Sequence, residues 1–337
     1  MDALHSFEVI RPRTVEEALA ARQAHPESRM IGGGTDLLVN IRRQIETPPV
    51  LIDTNDLGDL KSIEAGENGL VIGASVRLYE VAEHPEIRCL YPAVAQAAGS
   101  IAGPTQRNMG TVGGNVCLDT RCIYYNQSEW WREANDHCLK TELGDMCHVA
   151  PKSKGVCFAT YSGDLAPAML LFDGAIDLLG PNGARTVSMR DFFIGHSRQD
   201  GSTGDGIDYM AMEPGEFVLR IRAAAPGNLV SGYDKIRIRR SIEYPVAGCA
   251  VAVARDGDRL TDLRVAITGT NPRPVFLEGA ADLAGGALDD ATVQGIDDLC
   301  KDQLMSMKTT FTPGHYRRRV ATKMAIRLVR ELFEAAA

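Results

Sequence analysis

The chain has 337 residues, more than one hydrophobic core usually fills, so two or three domains are expected. Apolar residues make up 45% and charged residues 24%, the balance of a globular protein. A net charge of −8 argues against nucleic acid, whose phosphates need a basic surface, and there is no apolar run long enough to span a bilayer. Residues 1–7, with Asp2 and His5, lack the basic-then-apolar profile of a secretion signal, so a cytoplasmic protein is the expectation.

In chain order, residues 7–11 alternate like a strand. Thr14 is placed to cap a helix, with Glu17 completing a capping box and Val15, Ala18 and Leu19 forming its apolar face. Residues 28–31 read as a strand, 37–43 as a helix and 50–53 as a third strand, which makes 1–55 a first α/β unit. A second unit, 56–214, opens with a hairpin whose arms, 60–65 and 70–73, flank the turn Gly66-Glu67-Asn68-Gly69. Two helices are expected around 78–84 and 87–99, followed by a cysteine-rich stretch at about 117–160, and then strands at 175–179 and 185–189. The loop 201–206 precedes a boundary near 210–216. The remainder, 215–337, carries alternating strands at 216–223, 233–239, 247–254 and 263–268. It ends in a helix over 314–335 with Tyr316, Val320, Met324, Leu328 and Phe333 on one stripe. The expected class is α+β: two N-terminal α/β subdomains and a C-terminal domain of antiparallel strands and helices. Arg317-Arg318-Arg319 reads as a solvated or subunit-facing patch, and Asp289-Asp290 as helix-end charge.

Two glycine-rich segments stand out. Gly32-Gly33-Gly34-Thr35-Asp36 lies between a strand and a helix, where glycines allow backbone N–H groups to approach a pyrophosphate. It is not the spaced dinucleotide fingerprint, and a plain turn is an equal reading. The second segment is Met109-Gly110-Thr111-Val112-Gly113-Gly114-Asn115, and the pair could grip a long cofactor from two sides.

The eight cysteines are unevenly spread. Cys89, Cys249 and Cys300 are scattered and read as small buried hydrophobes. Cys117, Cys122, Cys138, Cys147 and Cys157 crowd into a stretch with few aliphatics that also holds Trp130 and Trp131, expected to anchor it. Such a stretch is too long for an ordinary loop. Four thiolates suit an iron–sulfur cube or a structural zinc, but with no C-x-x-C pair the spacing leaves metal, cluster and free thiols open. His137 and His148 keep a mixed-ligand zinc site open as well. No nucleophile–base constellation is visible.

The opening Phe7-Glu8-Val9-Ile10-Arg11-Pro12 with Thr14-Val15-Glu16-Glu17-Ala18, then residues 31–37 and 111–115, Ser162-Gly163-Asp164-Leu165-Ala166-Pro167 and Tyr233-Asp234-Lys235 resemble, in order, the flavoprotein subunits of the xanthine dehydrogenase and carbon monoxide dehydrogenase family. The resemblance implies the vanillyl-alcohol-oxidase-like FAD fold. It gives the diphosphate-binding role to Met30-Ile31-Gly32-Gly33-Gly34-Thr35-Asp36-Leu37 and to Thr111-Val112-Gly113-Gly114-Asn115, and contacts to the flavin or its linker to Asp164 and Lys235. The plain alternatives are a helix N-cap for Asp164 and an exposed strand lysine for Lys235. In most of that family the second glycine loop runs almost directly into the Ser-Gly-Asp-Leu motif, whereas here the cysteine-rich stretch intervenes. This insertion resembles that of the beta subunit of 4-hydroxybenzoyl-CoA reductases, which implies a [4Fe–4S] cluster on Cys122, Cys138, Cys147 and Cys157, with Cys117 a packed thiol. The same resemblance implies a large molybdenum-cofactor subunit, a small subunit with [2Fe–2S] clusters, a dimer of heterotrimers, and reduced ferredoxin as donor for dehydroxylation of the thioester. Two other readings stay open: an oxidising molybdenum hydroxylase whose loop holds nothing redox-active, and a zinc-stapled scaffold.

Overall fold

The computed structural model describes residues 4–196, 204–239 and 241–336, so the loop expected at 201–206 lies partly outside the described residues. The first unit is a three-stranded parallel sheet of β1 (Glu8–Ile10), β2 (Arg29–Ile31) and β3 (Val50–Asp53) in the order β1-β3-β2. Parallel neighbours need crossovers, and the helices Val15–Ala24 and Leu37–Arg42 supply them. Thr14 caps the first by accepting from the Glu17 N–H at 3.2 Å. The Glu17 carboxylate reaches back to the N–H of Arg13 at 2.8 Å rather than to that of Thr14.

The second unit holds β4 (Ile63–Gly66), β5 (Gly69–Gly73), β6 (Ala175–Gly180), β7 (Gly183–Ser188) and β8 (Phe217–Ala223), all antiparallel in the order β4-β5-β8-β6-β7. The helix expected at 87–99 is two helices, Pro85–Leu90 and Pro92–Ser100. Pro92 carries no N–H to continue the ladder and pushes the preceding residue out of the helical region, so Tyr91 sits at φ −130, ψ 55. The buried Tyr91 ring meets Phe172 edge-on at 5.0 Å, and its hydroxyl donates to the Ala224 carbonyl at 3.2 Å. β8, which the sequence reading placed beyond a boundary at 214, pairs instead with β5 and β6 and completes this sheet. Burial drives the difference: Ile221 packs in the same core as Ile72 and Ile176.

The C-terminal domain is the antiparallel sheet of β9 (Val230–Ile236), β10 (Ala247–Asp256), β11 (Arg259–Thr268) and β12 (Val275–Phe276), ordered β12-β11-β10-β9. Helices Asp290–Gln303 and Gly314–Ala335 join its core, which includes Val251, Val265, Ile296, Met324 and Leu328. Asp289 caps the first, accepting from the Thr292 N–H at 2.9 Å. Cys249 and Cys300 are buried here as expected, whereas Cys89 is exposed. Arg317 corrects the reading of the arginine run. Its guanidinium is buried and donates to Val246 O at 3.0 Å, to Thr309 Oγ1 at 2.5 Å and to Gly269 O. The whole is an α+β chain, and among the described residues no helix is long and apolar enough to cross a membrane.

Candidate functional site: a glycine-lined cavity beside a cysteine nest

A cavity of about 490 Å³ opens where the three units meet, a size ordinary for small-molecule sites. Met30 to Leu37 line one wall; Thr111, Gly113, Gly114 and Asn115 line another, with Asp164 beside them. Val112 is fully buried behind its loop and does not line the cavity, and neither does Lys235.

The loops touch each other. A Cβ on Gly33 would stand 1.8 Å from the Met109 carbonyl oxygen, so only glycine lets the first loop close on the second. Gly34 has φ +66, the left-handed region glycine enters without penalty. Thr111 caps the turn Val112–Val116 by accepting from the Gly114 N–H at 3.3 Å, and Gly113 lies close against Ala74. Asn115 Oδ1 accepts from the Leu165 N–H at 3.1 Å, which caps the helix Leu165–Leu170.

That cap frees Asp164. Its carboxylate accepts from Tyr233 Oη at 2.5 Å and pairs with Lys235 Nζ at 3.0 Å, both groups buried. Burial lowers the Lys235 pKa and the Asp164 charge opposes that fall; burial and the same carboxylate push the Tyr233 hydroxyl up. Lys235 on β9 is therefore a buried lysine that fixes the cavity-lining Asp164, not an exposed strand residue. Asn40 was not legible from motif or spacing. It lines the cavity at 1% exposure, its amide donates to Asp36 at 3.1 Å, and among the described residues its Oδ1 has no partner. A buried acceptor left unpaired costs about 1–3 kcal/mol, so this wall fits a bound group that brings a donor. Glycine walls and an orphaned acceptor suit a dinucleotide such as FAD.

The insertion is closed at its neck by two backbone bonds, Arg121 N to Thr160 O at 2.7 Å and Thr160 N to Arg121 O at 2.8 Å. Thr309 ties that neck to the C-terminal domain, accepting from Ile123 N at 2.9 Å and sharing a hydroxyl contact with Thr160 at 2.6 Å. Within the loop, Cys122, Cys138, Cys147 and Cys157 are all buried. Charge on Cys147 would act on the other three, and Cys122, Cys138 and Cys157 pack in one cluster with Tyr125 and Ala159. Backbone N–H groups converge on the sulfurs: Tyr124 and Tyr125 toward Cys122, Lys140 and Thr141 toward Cys138, and Ala159 toward Cys157 at 3.4 Å. Burial pushes the Cys122 thiol up to about 11, Cys157 to about 12 and Cys138 upward as well, with the N–H donors pulling back. Among the described residues no three Cys, His, Asp or Glu side chains stand close enough for a single ion. His148 is engaged with the His137 carbonyl.

Trp131 lies against Tyr124 at 6.4 Å, but Trp130 is 75% exposed rather than packed into the loop. Arg132 does the anchoring. Its buried guanidinium donates to Gln127 O at 2.6 Å, Gln44 O at 2.9 Å and Arg43 O at 3.3 Å, which ties the loop to the first unit. Cys117 borders the cavity rather than the nest, and burial pushes its thiol up to about 12.

The family described as FAD binding domain in molybdopterin dehydrogenase matches residues 5–223, and the CO dehydrogenase flavoprotein C-terminal domain matches 232–332. The aldehyde oxidoreductase FAD-binding subunit PaoB of Escherichia coli K12 is 33% identical over 84% of this chain and 88% of its own. The carbon monoxide dehydrogenase medium chain of Afipia carboxidovorans is 26% identical over 96% of both. Among solved structures, the reconstituted CO dehydrogenase from Oligotropha carboxidovorans superposes with a TM-score of 0.78 at 24% identity, covering 99% of this chain and 100% of that one.

Proposed function

Given that the chain belongs to the FAD-binding subunits of the molybdopterin dehydrogenase family, we propose that it carries FAD and a [4Fe–4S] cluster and passes electrons within an oxidising molybdenum enzyme of aldehyde oxidoreductase type. FAD binding follows from the family and from the cavity's fit. The cluster is carried by one observation, the burial of four cysteines from separated segments, three of which (Cys122, Cys138 and Cys157) pack together with backbone donors aimed at their sulfurs. FAD exchanges one or two electrons and a cluster exchanges one; the protein contributes position, exclusion of water and local charge. The glycine loops and Asn40 would hold the dinucleotide, Lys235 and Tyr233 would orient Asp164, and the four cysteines would hold the cluster. Relatives named for aldehyde and carbon monoxide oxidation support the oxidising direction. The expected partners are a large molybdenum-cofactor subunit and a small [2Fe–2S] subunit. Substrate is then converted on the large subunit and never reaches this chain.

A second reading, reductive dehydroxylation of 4-hydroxybenzoyl-CoA with reduced ferredoxin as donor, is favoured by the likeness of the cysteine insertion. The test is the purified complex. One FAD with about four iron and four sulfide per chain supports the cofactor reading. Aldehyde oxidation with an artificial acceptor supports the first assignment, and benzoyl-CoA formed with reduced ferredoxin supports the second. FAD without iron removes the cluster from both.

A further inference from the structure

Between the cysteine nest and the cavity lies Lys140, two residues after Cys138, its side chain 6% exposed. Its ammonium pairs with Asp119 at 2.5 Å, donates to Thr120 Oγ1, and donates to Gly206 O at 3.1 Å. It lies 4.7 Å from the centre of the Tyr125 ring and 5.6 Å from that of Tyr209. These contacts belong to two places. Tyr125 packs with the cysteines, and the Lys140 charge acts on both Cys138 and Cys157. Asp119 and Tyr209 line the cavity. Gly206 packs against Cys157, where a Cβ would stand 2.9 Å from the sulfur.

A staple alone does not call for a charge. A buried ion pair is a weak source of stability, since desolvation offsets most of the attraction, and an uncharged donor could reach the same oxygens. A cation on the path between two electron carriers has another effect. It stabilises whichever neighbour has gained an electron, and it does so strongly where water is excluded.

We propose that Lys140 is a fixed positive charge shared by the cysteine nest and the flavin cavity, and that it holds the reduction potentials of both centres up while Asp119 holds them down. Lys140 is a positioning residue that touches neither reacting atom. The flavin half rests on the family's FAD, and the cluster half rests on the proposed four-cysteine ligand set.

The experiment is a redox titration of the whole complex, following flavin by absorbance and the cluster by electron paramagnetic resonance. Lys140→Met should lower both midpoints by about tenfold in the one-electron equilibrium, about 59 mV. Asp119→Asn, which leaves the cation unopposed, should move both upward. A purely structural lysine would give no shift in either variant, or shifts of the same sign, and either result overturns the proposal. Should Lys140→Met fail to assemble, Lys140→Arg at wild-type midpoints together with the upward shift in Asp119→Asn supports it, and an unmoved Asp119→Asn overturns it. If the wild-type complex holds FAD but no iron, the cluster reading falls and the flavin midpoint alone decides the role of Lys140.

Discussion

The flavin cavity and the cysteine nest lie side by side but are built in different ways. The cavity is walled by regular structure: glycine loops at the end of β2 and at the cap of a short helix, with positions fixed by two sheets. The nest is walled by irregular chain. Its shape comes from a pinched neck at Arg121 and Thr160 and from buried cations, Arg132 and Lys140, that bond carbonyls and a carboxylate. A site made from backbone closeness should fail when a side chain is added, and one made from ligands and staples should fail when a side chain is removed.

The largest break follows on the cavity side. Gly33→Leu drives a side chain into the Met109 carbonyl, so the loops separate and the chain should lose its FAD and much of its soluble yield. Flavin absorbance per chain measures it, and a stoichiometrically yellow variant would mean that the loops need not touch. On the nest side, Cys138→Ser or Cys147→Ser should abolish iron and sulfide while FAD stays bound, because neither cysteine lines the cavity. Iron retained in both variants would end the ligand assignment. Loss of FAD along with iron would show that the two sites are not separately built.

The same contrast accounts for what could be read from the sequence. Glycine loops, the capped first helix and the 314–335 helix follow local rules, so their positions were legible. Asp164 and Lys235 came as separate motif residues. That they form one buried unit with Tyr233, 69 and 71 residues from Asp164 along the chain, is a fact of tertiary packing. Cysteine count and crowding pointed to the nest, but nothing in the spacing identified Lys140 or Arg132, because loop cations are usually solvated and these two are not. Arg317 departs from the expected surface patch for the same reason. A run of three arginines looks like surface, and here its first member faces inward to the neck of the insertion. β8 joins the second unit rather than the C-terminal domain, and alternation identifies a strand without saying which sheet receives it.

A smaller and more local effect should follow from Arg132→Ala. The substitution leaves the carbonyls of Gln127 and Gln44 without their donor and unties the loop from the first unit, at a cost of about 2–3 kcal/mol. Because the neck and the glycine loops are separate, proteolysis should cut faster within 121–160 while FAD content holds. Equal protection in both proteins would mean that the neck alone fixes the insertion.

The mildest effect lies outside both sites and serves as their control. Asp177 on β6 accepts from Thr186 at 2.8 Å and from Arg222 at 2.8 Å, with Arg220 at 3.4 Å, which ties β6 to both neighbouring strands. Its pKa is lowered: burial pushes it up, and the bonds from Arg222 and Thr186 outweigh that. A carboxylate held below its unfolded value adds stability above the unfolded pKa and loses it as pH falls through the folded one. With both arginines more than two-fifths exposed, solvent screening limits the contribution to about 1 kcal/mol. Asp177→Asn should therefore lower the melting temperature slightly at neutral pH and by less near pH 3, with FAD and iron content unaltered. A difference of the same size at both pH values would assign the effect to packing rather than charge.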